Sequence, residues 1–223
     1  MANAISVLAA ATVGDGKLMH APDCYMDKLV VGEAAKGAID ITLPPAVNLR
    51  MIAKCLDKDV EELTVGILDR PRHEKLIAEI RRAGARIRLV TDGDITLAIA
   101  AIDPSTGIDA LFGIGGAPEG VITAAAVRCV GGDMQARLVF RNDEERARAT
   151  KMVEGDVDRV FLTEDLASGG VMFAATGITG GDLLRGVRYV PDGAHTESVV
   201  MRSTSGTIRR ISAQHKFDGG PRY

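Results

Sequence analysis

The stretch LTVGILDRPRHEKLIAEIRRAGARIRLVTDGD, residues 63–94, decides the fold. LTVGIL (63–68) is a short apolar run that stops at the polar cluster DRPRH. RHEKLIAEIRRAGA then sets Leu76, Ile77, Ile80 and Ala83 on one helical face, and Gly84 is a good C-terminal stop. RIRLV (86–90) is a second strand and stops at TDGD. The same rhythm continues outward: ITLAIAAI (95–102) reads as a helix, IDALFGIG (108–115) as a strand and VITAAAVRCV as a helix. Upstream, PAVNLRMIAKCLDK spaces Val47, Leu49, Ile52, Ala53 and Leu56 close to a helical period. Strands alternating with helices at this spacing predict an α/β fold with a parallel sheet and crossover helices.

The two ends of the chain read differently. AISVLAAATV, the turn GDG and KLMHA predict an N-terminal hairpin. A buried strand starting two residues from Met1 suggests missing upstream sequence. After residue 155 the runs DRVFLTED, GVMFAATGIT and LLRGVRYV are strand-like. Residues Ser198 to Phe217 predict a closing hairpin turning at STSG, and DGGPRY reads as a loose tail. The expected organisation is a remnant N-terminal segment at 1–44, an α/β substrate-binding domain at 45–155 and a strand-rich segment at 156–223.

Composition is that of a globular protein, with 46% hydrophobic and 26% charged residues. A net charge of −3 gives no support for nucleic acid or a membrane surface as partner. No apolar run reaches membrane-spanning length, and the N-terminus lacks the basic region of a signal peptide. Cys24, Cys55 and Cys129 are few and widely spaced, which reads as reduced, mostly buried, structural thiols of a cytoplasmic protein and not as a metal site. His20, His73, His195 and His215 show no metal-ligand spacing and read as structural or surface.

Ligands of open α/β sheets gather at the carboxyl ends of strands. Three polar clusters fall there. Arg70 and Arg72 flank Pro71, and two guanidiniums suit a phosphate; the alternative is two solvated charges. Asp92 and Asp94 flank Gly93; they suit sugar hydroxyls or a metal, or Asp94 simply caps the next helix. GIGGAPEG matches neither the phosphate-loop nor the dinucleotide pattern, but its strand-to-helix turn can face backbone N–H groups toward an anion. Glu119 in that turn is also a plain dipole-favoured choice. Tyr25 in APDCYMDK is either a ligand contact or a packed ring.

Together, HAPDCYMDKLVVG, the 67–94 stretch, GIGGAPEGVITAAAVRCVGGDMQARL and FAATGITGGDLLRGVR resemble the class II fructose-1,6-bisphosphatases, in collinear order over nearly the whole chain. The resemblance implies a layered αβαβα sugar-phosphatase fold lacking part of its N-terminal half. It implies Mg²⁺- or Mn²⁺-dependent hydrolysis of the 1-phosphate of fructose 1,6-bisphosphate, with sedoheptulose 1,7-bisphosphate as a second candidate substrate. Carried over by motif, the substrate-binding residues are Tyr25, Arg70, Arg72, Asp92, Gly93, Asp94 and Gly116, and the metal ligand is Glu119.

One family motif, Asp-Pro-x-Glu-Gly-Thr, lies before the opening hairpin in the family. Together with an Asp and a Glu further upstream it supplies most metal ligands, and its Thr positions the attacking water. None of these occurs here. The expectation is therefore a chain resembling the C-terminal two-thirds of the enzyme, with no certain catalytic residue and no activity alone. The alternative is a non-catalytic or partner-dependent sugar-phosphate-binding module. A different phosphomonoesterase of the superfamily, such as an inositol phosphatase, fits DRPRH and GGAPEG less well. A homo-oligomer is left open.

Overall fold

The computed structural model describes residues 4–181 and 183–217. In chain order the elements are β1 (Ile5–Ala11), β2 (Lys17–Leu18), β3 (Tyr25–Val31), α1 (Pro45–Leu56), β4 (Thr64–Leu68), α2 (Glu74–Ala83), β5 (Arg86–Val90) and α3 (Asp94–Ile102). They continue with β6 (Ala110–Gly116), α4 (Ala117–Val130), β7 (Asp133–Val139), α5 (Asp143–Met152), β8 (Phe161–Leu162), α6 (Thr163–Leu166), β9 (Ala167–Ser168), β10 (Val171–Gly177), β11 (Arg188–Val190), β12 (Gly193–Arg202) and β13 (Thr207–Lys216). The expected tail DGGPRY lies outside the described residues. Among the described residues, no helix is long and apolar enough to cross a membrane.

The central sheet has six strands in the order β5-β4-β6-β3-β7-β8. β4 pairs parallel with β5 and with β6, as the alternating pattern predicts. β3 pairs antiparallel with both β6 and β7. β6 and β7 therefore run the same way, joined by the crossover helix α4, and β3 is inserted between them. The expected all-parallel sheet is thus a mixed one. Local periodicity shows that a strand–helix–strand unit exists, but it does not show which strand lies between its two ends.

Strand β3 explains the layering. Its side chains alternate across the sheet. Leu29 and Val31 enter a core with Leu49 and Ile52 of α1, Val65 and Ile67 of β4, and Ile77 and Ile80 of α2. Met26 and Val30 enter a second core with α3, α4 and the inner face of another sheet, where Phe173, Val199 and Met201 lie. That five-stranded antiparallel sheet runs β1-β10-β12-β11, with β13 on β12. The described residues thus form four layers: α1 and α2, the mixed sheet, α3 and α4, and the antiparallel sheet.

The N-terminal hairpin does not form. β1 pairs with β10 and β2 with β9, so the chain between them crosses from one sheet to the other. The apolar pattern reads correctly as strands, but their partners lie about 150 residues or more away in sequence. The C-terminal hairpin does form, turning at Ser203–Gly206, and begins earlier than expected, at Gly193. DRVFLTED supplies only the two residues of β8 before the single turn of α6. Cys24 and Cys129 are buried, with burial pushing both thiols up to about 11. Cys55 is exposed on α1, so the thiols are mostly buried, as expected.

Candidate functional site

β4, β5, β6 and β7 share one direction and β3 the opposite one. The carboxyl ends of the four and the start of β3 therefore lie along one edge. Tyr25 opens β3 directly opposite Gly116 on one side and Val139 on the other. The loops carrying Arg70 and Arg72, Asp92 to Asp94, and Gly116 to Glu119 leave β4, β5 and β6 at this edge.

The loop after β4 is held by an imidazole. His73 is 1% exposed; its Nδ1 lies 2.7 Å from the Leu68 carbonyl, and its Nε2 accepts from the Ile114 N–H at 2.8 Å. With Nε2 accepting, Nδ1 carries the proton and donates it to Leu68. The carbonyl of the same Ile114 accepts from Nε and Nη2 of Arg72, at 3.0 and 2.8 Å. Arg72 is thereby fixed with its guanidinium 5.0 Å from the Tyr25 ring centroid. Among the described residues Arg70 makes only a long 3.5 Å bond to the Asp69 carbonyl, which leaves its donors open to an anion.

The loop after β5 behaves differently. Gly93 takes a left-handed φ of 92° and starts α3. Asp92 is exposed and accepts from the Gly93 N–H. Asp94 does not cap the helix across a turn; its Oδ1 accepts from the adjacent Ile95 N–H at 2.9 Å. Its Oδ2 accepts from Lys28 Nζ at 2.6 Å. Lys28 also donates to the Gly116 carbonyl at 3.1 Å. The two loops are thus joined through one lysine of the central strand.

Gly116 precedes α4, with Pro118 and Glu119 in the first turn. A Cβ at Gly116 would collide with the Glu119 carboxylate, so glycine is required for Glu119 to fold back over the turn. Among the described residues no group of three or more His, Cys, Asp or Glu side chains gathers where a metal would be held. Glu119 offers one carboxylate, and a divalent ion such as Mg²⁺ needs more oxygen donors than that from protein, water and substrate in near-octahedral order. The donor set of the described residues does not fit the ion by itself.

Two neighbours were not read from the sequence as site residues. Lys28 sits in YMDKLVV, where a lysine on the strand face that also carries Met26 and Val30 is the signal. Arg141 follows β7 and places its guanidinium 5.3 Å from the Tyr25 ring centroid, so two arginines flank one tyrosine. Arg141 is ion-paired with Glu145, whose side chain is 2% exposed. Hydrogen bonds from Arg141 hold the Glu145 carboxyl below the usual carboxylate range. Beside it a cleft of about 470 Å³ is lined by Asp27, Arg137, Arg141, Asn142, Arg146 and Asp158. Burial raises the Asp27 carboxyl above its ordinary value, against a smaller opposing pull from a hydrogen bond of the Lys28 backbone N–H and from the Arg137 and Lys28 charges.

The model of the family described as bacterial fructose-1,6-bisphosphatase, glpX-encoded, matches residues 1–215. A protein of Synechococcus sp. (strain JA-3-3Ab) named D-fructose 1,6-bisphosphatase class 2/sedoheptulose 1,7-bisphosphatase is 47% identical over 96% of this chain. Relatives of the same name from Synechococcus sp. (strain JA-2-3B'a(2-13)) and Trichodesmium erythraeum (strain IMS101) are 48% and 45% identical, over 96% and 95% of this chain. The chain spans 65% of the length of each. With its match running from the opening strand to the final hairpin, this chain belongs to the glpX-encoded bacterial fructose-1,6-bisphosphatase family.

Proposed function

We propose that this chain forms the sugar-phosphate cradle of a phosphoric monoester hydrolase acting on fructose 1,6-bisphosphate, with sedoheptulose 1,7-bisphosphate as a second substrate. The observation that carries the reading is the convergence at one sheet edge of Tyr25, Arg72, Asp94, and the pair Gly116 and Glu119, from four separate stretches of the sequence. In this proposal Arg70 and Arg72 neutralise a phosphate, and Arg72 is pre-set because Ile114 and His73 hold it. Tyr25, Asp92, Gly93, Asp94 and Gly116 orient the sugar. The names of the relatives support the substrate class. A cytoplasmic setting belongs to the same proposal, supported by free and unpaired thiols.

Glu119 serves Mg²⁺ or Mn²⁺ in this reading only alongside further oxygen donors, which the described residues do not gather. The chain alone is therefore expected to bind and not to turn over. Calorimetry with fructose 1,6-bisphosphate on the purified chain, beside a phosphate-release assay with Mg²⁺ and with Mn²⁺, tests this. Weak binding without release is expected. Measurable metal-dependent release overturns the inactivity, and absence of binding overturns the cradle.

A further inference from the structure

Lys28 is 2% exposed, in the middle of the central strand of the mixed sheet. Its strand neighbours are Gly113 and Ala136, and the side chains on its face at either end, Met26 and Val30, are core residues. An apolar residue would fill this place without the cost of taking an ammonium out of water. The ammonium is balanced by the Asp94 carboxylate at 2.6 Å and the Gly116 carbonyl at 3.1 Å, and both acceptors lie in the proposed sugar-binding loops. The pair also rests against the backbone, since a Cβ on Gly115 would collide with the Asp94 carboxylate and crowd the lysine nitrogen.

From this geometry, and resting on the sugar-phosphate reading above, we propose that Lys28 is the positioning residue for sugar recognition. It locks the loops after β5 and β6 into one arrangement and offsets the charge of Asp94 beside an anionic ligand. Asp94 Oδ1 is directed at its own helix N–H and Oδ2 at Lys28. The side chain keeps 17% exposure, which leaves lone pairs for a sugar hydroxyl. Without the lysine, an unbalanced carboxylate would face a ligand carrying phosphate charge, and like charges at such range repel. Lys28 itself is too buried to touch the ligand, so it acts through Asp94 and Gly116.

The test uses the whole chain with Lys28→Met, Asp94→Asn and the double variant. Calorimetry with fructose 1,6-bisphosphate reads binding, and amide hydrogen exchange reads the free protein. Lys28→Met is expected to weaken binding at least about tenfold. Exchange should quicken at residues 92–95 and 116, while the Ile114 amide, held by His73, is unchanged. Adding Asp94→Asn to Lys28→Met removes the stranded charge and is expected to recover part of the binding. Loss of side-chain packing alone would not be rescued in this way. Wild-type affinity in Lys28→Met, or no recovery in the double variant, overturns the proposal. If the unaltered chain binds no sugar bisphosphate, the cradle reading fails, and the exchange pattern alone decides the lock. If Lys28→Met does not fold, the charge-free double variant carries the test, and wild-type exchange at 92–95 in it overturns the proposal.

Discussion

A single peptide unit, that of Ile114, holds both His73 and Arg72: its N–H donates to His73 Nε2 and its carbonyl accepts from Arg72. Buried polar groups are satisfied in this way, because a donor or acceptor left unpaired costs about 1–3 kcal/mol. Asp27, two residues after Tyr25, carries the opposite burden. Burial raises its carboxyl, so the folded state favours the neutral form. The sign follows. Above its folded value the ionised group costs stability, and that cost disappears as pH falls below the ordinary aspartate value of about 4. Asp27→Asn is therefore expected to raise the melting temperature at pH 7, with the gain shrinking toward pH 4. Paired thermal melts at the two pH values check it; a lower melting temperature at pH 7 would mean that Arg137 stabilises the carboxylate more than burial penalises it.

At the scale of elements, α4 is the piece on which both sheets depend. Its residues Ala124, Ala125 and Ala126 are fully buried, and it packs against β7 and β3 on one side and β10, β1 and β12 on the other. A helix apolar on all sides is a buried helix, and here small side chains let two sheets approach it. Enlarging one of them leaves no direction in which to relax. Ala125→Leu is expected to destabilise the chain by about 1–3 kcal/mol. Urea unfolding, comparing midpoints at equal slope, measures it; an unchanged midpoint would show a looser core than the packing indicates.

For the whole molecule, acid stability is expected to depend on carboxylates whose hydrogen bonds to arginine lower their titration. These are Glu145 with Arg141, Asp158 with Arg146, and Asp165 with Arg159. Lowered groups contribute stability that is present above their unfolded values and lost as pH falls through the folded ones, so the loss should begin below about pH 4. The Arg146–Asp158 pair is about half exposed on both sides and is screened by salt, whereas the Glu145 carboxylate is covered. Urea unfolding at pH 7, 4 and 3, with and without added salt, should show an acid loss that salt reduces only in part. A flat profile would remove these pairs from the account. The antiparallel sheet also presents Leu8, Met172 and Ile211 on its face away from α4, all exposed among the described residues.

What the sequence determined by itself was local and periodic. The helices from α1 to α4, the strands β4, β5 and β6, the stop at Gly84 and the turn at Ser203–Gly206 all follow from residue spacing and turn chemistry, which act over a few residues. The motifs also gave the candidate residues Tyr25, Arg70, Arg72, Asp92, Gly93, Asp94, Gly116 and Glu119. Tertiary structure alone decided the rest. Periodicity gives a strand no partner, so it could not place β1 against β10 or insert β3 between β6 and β7. Nor could it show that Lys28 meets Asp94, or that His73 and Arg72 share one peptide, since those partners are 66 and 41 or more residues apart. Burial of a charge becomes visible only when the groups that balance it are brought beside it, and chain topology does that.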